Sequence, residues 1–372
     1  MRGAGILDVA VIIVSYKSAR LTIDALRSVA GERATPGLSI RAVVVDNASG
    51  DMPQIAQAVV ANHWDSWVTL ITSPRNGGFA YGNNLALARA YADAPPDYVY
   101  LLNPDTQVRT GAIDSLVRFL EQRPEVGIAG SSFEGHDGSD WPLAFRFPTV
   151  FSEIDTGVSF WLVTRVLHRW SVAVPMDNVP QRVEWVAGAS MMVRAAVLDA
   201  IGGLDENYFL YFEEPDFCFR ARRAGFSTWY VPASRVMHIG GQSTKVQSMI
   251  GPRPERLPHW WFESRRRYFA LRFGTTRAML IDVIAALAVA AGLLKRILLG
   301  RRRTAVSHYI RDLLRHSALW PANRDIPPLR TFVPARPDKA STIEQPMAQQ
   351  SISACGAAEP AGVSGRTNRP SP

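Results

Sequence analysis

Short apolar runs alternate with stretches of helical spacing along the first 130 residues. Residues 9–14, 40–45, 67–72, 98–102 and 126–131 are apolar segments of strand length. Runs of this kind mark strands buried on both faces. Between them, residues 19–30, 54–62, 81–91 and 112–122 carry apolar residues at helical spacing. In the first of these stretches they are Leu21, Ile23, Leu26, Val29 and Ala30. Such a pattern lines one face of a helix. The order is β-α-β-α-β-α-β-α-β, which predicts an α/β fold with a mainly parallel sheet flanked by helices. Its crossovers should be right-handed.

The pattern then changes. Residues 133–182 are less regular and rich in aromatics. Residues 183–193 read as a strand pair around Gly188. Residues 195–201 read as a short helix closed by Gly202-Gly203. An acidic and aromatic loop, 204–212, precedes a helix over 214–224. A strand over 227–231 leads to Met237-His238-Ile239-Gly240-Gly241. From Trp260 to Arg303 the chain is basic with an apolar middle. Seventeen residues between Arg277 and Lys295 are broken only by Asp282. The uninterrupted part, 283–294, is short of the about 20 apolar residues of a transmembrane helix, and length of that order suits a buried or interfacial segment. From about Pro327 the composition is rich in Pro, Ala, Ser and Gly, which predicts a disordered tail over 327–372.

Charge sharpens this division. The chain of 372 residues has a net charge of +8, but residues 253–303 alone carry +9, with 12 Lys/Arg against 3 Asp/Glu. Residues 1–252 are net −4. The basic character therefore belongs to the segment after the α/β region. It suits an anionic membrane surface, with Arg265-Arg266-Arg267 and Arg301-Arg302-Arg303 flanking the apolar stretch, and it argues against nucleic acid as a partner. Hydrophobic residues at 47% give enough material for a large core. Two distant cysteines, Cys218 and Cys355, provide neither a disulfide framework nor a metal cluster, which fits a reducing compartment. The first residues do not read as a signal peptide. Three regions are expected: an α/β domain over 1–250 with halves 1–131 and 132–250, a basic amphipathic helical segment over 251–326, and the tail.

Chemistry gathers where the strands end. Tyr16 follows the first strand, Asp46 the second, Arg75-Asn76-Gly77-Gly78 the third and Asn103-Pro104-Asp105 the fourth. In a parallel sheet these carboxyl ends lie along one edge, where open α/β sheets bind ligands. An aromatic ring, an acidic acceptor, a cation and a Gly-rich turn suit a nucleotide. Each is also a good turn element by itself: Asp46 with Ser49, Gly77-Gly78 as a loop, Asn-Pro-Asp-Thr as a turn. A dinucleotide-binding fold is excluded, because no G-x-G-x-x-G opens the first helix, and no G-x-x-x-x-G-K-[ST] is present.

Read in order, VIIVSYKS, VVVDNASGD, RNGGFAYGNN, YLLNPDT, WVAGASMMVRAAVLDAIGGLDENYFLYFEEPDFCFRARRAGF and MHIGGQS resemble the inverting family 2 glycosyltransferases of the GT-A fold. The rhamnosyltransferase-like enzymes that extend lipid-linked glycans are the nearest subgroup. The resemblance runs over residues 9–245 and more loosely over 259–269. It implies that Tyr16 and Asp46 contact the base, and that Arg75, Asn76 and Gly78 line the nucleotide site. Asn103 and Asp105 stand where the family has its Asp-x-Asp; the first acid is replaced by Asn. Asp105 and His238 would hold Mn²⁺ or Mg²⁺. The strand Trp185-Val186-Ala187-Gly188-Ala189 would floor the donor-sugar pocket, where Gly188 leaves room. Glu213, Glu214 and Asp216 match the acidic motif that supplies the base, with Glu214 favoured; the same acids and Pro215 are also good helix-start signals.

The implied activity is transfer of a sugar, best matched by L-rhamnose from dTDP-rhamnose, to a hydroxyl of a lipid-linked or cell-surface glycan, by a metal-assisted single displacement. The expected setting is cytoplasmic, peripheral on the inner face of the cell membrane. Two other readings are weighed against it. A sugar-nucleotide nucleotidyltransferase should have a Gly-rich basic loop after the first strand, where Ser15-Tyr16-Lys17-Ser18 stands. A non-catalytic membrane-surface protein with a degenerate GT-A domain would not need acids at Asp46, Asp105, Glu214 and Asp216.

Overall fold

A computed structural model describes residues 5–135, 138–141, 143–239, 256–300 and 308–334. The strand and helix pattern of the first part is present: β1 (Leu7–Ser15), α1 (Ala19–Glu32), β2 (Leu38–Asp46), α2 (Met52–Ala61), β3 (Val68–Thr72), α3 (Gly78–Asp93) and β4 (Tyr98–Leu102). A short strand, β5 (Thr106–Val108), follows the Asn-Pro-Asp turn, before α4 (Ala112–Glu121) and β6 (Val126–Glu134). The aromatic region folds into β7 (Asp140–Trp141), β8 (Leu143–Phe145), α5 (Val150–Val158), α6 (Trp161–Leu167), a 3₁₀ turn His168–Trp170 and β9 (Ala173–Pro175). Then come β10 (Gln181–Val183), β11 (Ser190–Arg194), α7 (Ala195–Ile201), α8 (Glu213–Arg223) and β12 (Ser227–His238). Three helices complete the described chain: α9 (His259–Phe273), α10 (Thr275–Leu298) and α11 (Tyr309–Arg315).

The main sheet has the order β10-β12-β6-β11-β4-β1-β2-β3, with β5 paired to β12 and β7 to β6. β1 is parallel to β2 and β4, β2 to β3, and β6 to β12. β11 is antiparallel to both β4 and β6 and fills the space between them. The expected strand pair around Gly188 is therefore not a hairpin. Ser190–Val193 is buried throughout, so it takes a central place, whereas Gln181–Val183 is half-exposed and polar and takes the outer edge. β12 is also longer than residues 227–231. It continues through Pro232, which lacks an N–H, by shifting register between Val231 and Arg235. Proline is tolerated in a strand at such an irregularity. The extension brings His238 to the carboxyl edge, opposite Thr106.

The segment after residue 256 is not a separate amphipathic piece. The described residues fall within one compact unit that runs to Pro334. Arg265 and Arg267, expected to face headgroups, are buried. Arg265 donates to Glu153 of α5 at 2.6 and 3.0 Å and also pairs with Asp282 of α10. Arg267 donates to Asp205 at 2.8 Å. Arg266 is half-buried and donates to the His316 carbonyl. The physical reason is Asp282, the one acid in the apolar run. It cannot be buried alone, so it draws an arginine from α9 into the core. Arg301-Arg302-Arg303 lies outside the described residues. Losing one member of a buried pair leaves an uncompensated charge, at a cost of about 3–5 kcal/mol. Arg265→Ala is therefore expected to lower unfolding free energy by that amount in denaturant titrations, whatever its effect on activity.

α10 packs on α5 through small residues: a Cβ at Gly157 would meet Ala288, and one at Gly292 would collide with the Gly157 carbonyl. The opposite face of α10 is apolar and exposed at Leu280, Leu287, Leu294 and Leu298. The tail also begins later than residue 327. Gly203 N–H donates to the Phe332 carbonyl at 2.8 Å, and Glu206 N–H to the Arg330 carbonyl at 2.7 Å. Phe332 lies 5.3 Å from the Tyr91 ring. An extended Pro-rich segment supplies carbonyls that a loop's unpaired N–H groups need. Residues 335–372 lie outside the described residues.

Candidate active site

The turn after β4 and the end of β12 form one corner. Asn103 N–H donates to the Ala189 carbonyl at 3.1 Å, and Ile239 N–H to the Asp105 carbonyl at 3.0 Å. The pairing of β5 with β12 sets His238 Nε2 at 3.5 Å from Asp105 Oδ1. Asp105 is only 5% exposed, and the Phe133 ring packs on the imidazole at 5.3 Å. One carboxylate and one imidazole suit Mn²⁺ or a similar divalent ion. Among the described residues no group of three or more His, Cys, Asp or Glu side chains gathers as ligands. Two protein donors fit a cation that takes its remaining oxygens from a diphosphate and water, as Mg²⁺-type sites do.

The acidic motif is held against this corner. Tyr211 and Phe212 adopt positive φ of 66° and 70°, a sharp reversal that starts α8 at Glu213. Non-glycine residues at positive φ carry a cost that the surrounding packing must cover. Tyr208 and Phe212 pack on Tyr268 and Phe269 of α9, and Ser264 donates to the Leu210 carbonyl. Asp205, tied to Arg267, anchors the loop's start. The three acids separate by environment. Glu214 accepts from Gly188 N–H at 3.2 Å, and burial pushes its carboxyl above the usual range. Glu213 is buried, one carboxyl oxygen has no partner, and burial together with the neighbouring Glu214 charge pushes it well up. Asp216 is also raised by burial, but Arg220 opposes this at 2.8 Å and itself donates to the Ile201 and Gly203 carbonyls. Asp216 thus holds α8 to the end of α7.

Gly188 is the hinge of the arrangement. A Cβ there would press on the Phe79 ring at 3.0 Å and on Glu214 Cγ at 3.3 Å. One bonded path therefore runs from Asp105 through Asn103, Ala189 and Gly188 to Glu214.

The other strand ends do more structural work than their residue types suggest. Asp46 accepts from Ser49 N–H at 2.9 Å, from Ser49 Oγ at 2.7 Å and from Met52 N–H at 3.2 Å. Asn76 accepts from Asn47 and from Gly78 N–H, both at 3.0 Å. Gly78 has φ +87°, and a Cβ there would collide with the Phe209 carbonyl. Its freedom is needed by the acidic loop. Arg75 is exposed and its guanidinium lies 4.4 Å over the Tyr81 ring. Tyr16 is half-buried, with Lys17 Nζ 5.4 Å from its ring. Sequence reasoning missed Asn47, Asp51 and Asn84. Asp51 accepts from Ser15 Oγ and Ser18 N–H, and Asn84 donates to the Leu204 carbonyl and Glu206. All three lie inside the quoted stretches VVVDNASGD and RNGGFAYGNN, but only their contacts single them out.

Comparison with known proteins agrees with this architecture. Residues 7–250 match the family described as glycosyltransferase like family 2. An N-acetylglucosaminyl-diphospho-decaprenol L-rhamnosyltransferase of Mycobacterium tuberculosis is 29% identical over 218 residues, 55% of this chain and 68% of that protein. The rhamnosyltransferase WbbL of Escherichia coli K12 is 30% identical over 197 residues, 52% of this chain and 70% of that protein. Among solved structures, a mannosyltransferase from Pyrobaculum calidifontis, in complex with GDP-Man and Mn²⁺, is 18% identical with a TM-score of 0.47, covering 85% of this chain and 81% of that one. With the family match spanning well over half its length, this chain belongs to the glycosyltransferase family 2-like proteins, has their mixed α/β GT-A architecture, and is a glycosyltransferase.

Proposed function

We propose that the chain transfers L-rhamnose from dTDP-rhamnose to a hydroxyl of a lipid-linked saccharide, with inversion. The observation that carries this reading is the bonded path joining Asp105 and His238 to Glu214 through Gly188. It supports a reading in which a cation-and-diphosphate corner lies near a buried carboxylate. The two rhamnosyltransferase relatives supply the sugar, and the decaprenol-linked substrate in the name of one of them supplies the acceptor class.

In the reaction an acceptor hydroxyl loses its proton as its oxygen bonds to the anomeric carbon and the bond to the nucleoside diphosphate breaks. Glu214 takes that proton. Gly188 N–H orients its carboxylate, and burial raises its basicity. Burial and the neighbouring Glu214 charge push the Glu213 carboxyl up, which favours its protonated form beside the base. Asp105 and His238 would hold Mn²⁺ or Mg²⁺, which when bound neutralises charge on the leaving diphosphate. Tyr16, Asp46 and Arg75 stand at the strand edge that would receive the nucleotide; Asp46 Oδ2 accepts one turn bond and keeps a second lone pair. A thermal-shift screen of nucleoside diphosphates and their sugars, with each metal, tests the donor. Ligand at 100 times Kd should stabilise by about 2.7 kcal/mol. The largest shift is expected with dTDP-rhamnose; a larger one with a UDP- or GDP-sugar would replace the donor.

A lipid-linked acceptor requires the enzyme at a bilayer. α10 is a 24-residue helix apolar enough to cross a membrane by length and composition. One side of it is packed against α5 and α9, and we place the exposed side, Leu280, Leu287 and Leu294, in the interface on the cytoplasmic face of an anionic membrane. Trp161, Leu162 and Val166 of α6, the helix after α5, are further exposed apolar residues. Leu287→Asp with Leu294→Asp is expected to abolish co-sedimentation with anionic vesicles while leaving the melting temperature within a few degrees of wild type. High salt alone should weaken binding only in part, because apolar burial remains.

A further inference from the structure

A cavity of about 750 Å³ lies at the amino end of β12, the strand whose other end carries His238. Its walls come from β8, β10, the last turn of α8 and the end of α9. Five arginines line it, Arg146, Arg169, Arg182, Arg222 and Arg272, against a single acid, Glu184. That acid is already engaged: one oxygen accepts from Phe147 N–H at 2.5 Å, the other from Arg222 at 3.3 Å. Among the described residues, Arg146, Arg169, Arg182 and Arg272 have no carboxylate partner.

The contrast with α9 is informative. There, Arg265 and Arg267 are each neutralised by buried acids. Here only Arg222 meets an acid, and two of the other cations, Arg146 and Arg272, are held by neutral partners. Arg272 is half-buried, and its guanidinium lies 4.3 Å from the Phe147 ring and 4.4 Å from that of Phe219. One nitrogen donates to Tyr268 at 2.8 Å, and four N–H donors remain. Arg146 spends one weak bond on the Ser171 carbonyl at 3.3 Å. Like charges concentrated in one concavity repel unless an anion joins them. A planar fork of donors matches phosphate oxygens bidentately.

We propose that this cavity binds a phosphate or diphosphate group, at a site separate from the donor nucleotide. Two sources share that chemistry: the head group of a lipid and a water-soluble phosphate. The apolar wall bears on the choice. Trp170 lines the cavity and stacks on Phe151 at 4.4 Å. It ends the turn that continues directly from α6, whose Trp161, Leu162 and Val166 are exposed. A phosphate here would have an apolar surface beside it.

The test uses the full chain with Asp105→Ala and EDTA, so that the donor site does not contribute. Pyrophosphate is titrated by calorimetry, and vesicles of neutral phospholipid are compared with vesicles containing an anionic phospholipid. Arg146→Gln with Arg182→Gln is the cavity variant. Arg27→Gln with Arg118→Gln, on α1 and α4, removes the same charge away from the cavity. The parent should bind pyrophosphate, and the cavity variant should bind it roughly tenfold more weakly or worse, with the control unchanged. If the cavity variant also loses anionic vesicles, and pyrophosphate competes with them, the source is a lipid head group. If vesicle binding is unchanged, the source is soluble. Loss of anionic vesicles alone, without pyrophosphate binding, assigns the site to lipid. Equal losses in the cavity variant and the control, or no loss in either assay, overturn the proposal. Arg182 is exposed, so Arg182→Gln alone serves as the variant should the pair fail to fold.

Discussion

Glu214→Gln is expected to lower kcat by roughly 10²–10⁴-fold with little change in donor Kd, the loss typical of a removed general base. Glutamine keeps the size of the side chain and can still accept from Gly188 N–H, so the bonded path to Asn103 survives. What it loses is the ability to take the acceptor proton, an interaction made only on the way to the transition state. The neighbouring acids give the contrast. Asp216→Asn breaks the pair with Arg220, which ties α8 to the carbonyls of Ile201 and Gly203, so its main effect should be on melting temperature. Glu213→Gln should cost less in kcat. An active Glu214→Gln beside a dead Glu213→Gln or Asp216→Asn would move the base to the other residue.

The pH dependence follows from the same burial. Glu214 must be ionised to act, and its carboxyl is raised, so the acid limb of kcat/KM should lie above the ordinary carboxylate range. Glu213 is raised further. A carboxyl whose folded-state pKa is raised contributes stability that is present below its unfolded value and is lost as pH rises through the folded one. Glu213→Gln should therefore leave the melting temperature at low pH near wild type and flatten its decline at higher pH. A decline as steep as that of wild type would show that Glu213 is ionised in the folded protein.

Asp105→Ala is expected to take transfer below detection and to abolish metal-dependent binding of nucleoside diphosphate, while the protein still folds. Among the described residues one carboxylate and one imidazole meet at this corner, so the loss of one removes half of those donors. No second acid stands in reserve, because Asn103 occupies the place of the first. Its backbone N–H is spent on Ala189. The fold should tolerate the change because β5 and β12 are paired by backbone bonds, not by this side chain. Calorimetry with Mn²⁺ and Mg²⁺, beside activity in EDTA, checks both parts. Undiminished transfer in EDTA with wild-type kinetics for Asp105→Ala would remove the metal from the mechanism.

The alternation of apolar runs with helical spacing was sufficient to place the elements from β1 to α4 and β6, the three-residue β5 excepted, because each depends on periodicity within a dozen residues. The strand-end residues were legible for the same reason: a turn's chemistry is local. Three things were not local. The place of β11 in the middle of the sheet depends on which strand can bury both faces, a comparison between Ser190–Arg194 and Gln181–Val183 that no single segment contains. The continuation of β12 past Pro232 depends on β6 and β5 offering partners for it. The fate of Arg265 and Arg267 depends on Glu153, Asp282 and Asp205, up to 112 residues away in the chain. A basic triplet reads as a solvated face until an unpartnered buried acid is found for it. The sequence by itself determined the family and the sheet's first half, and it put the candidate acids on one short stretch. Tertiary structure alone decided which of those acids is tied to an arginine and which faces Gly188. It did so because burial and pairing are properties of what surrounds a carboxyl, and those surroundings come from distant parts of the chain.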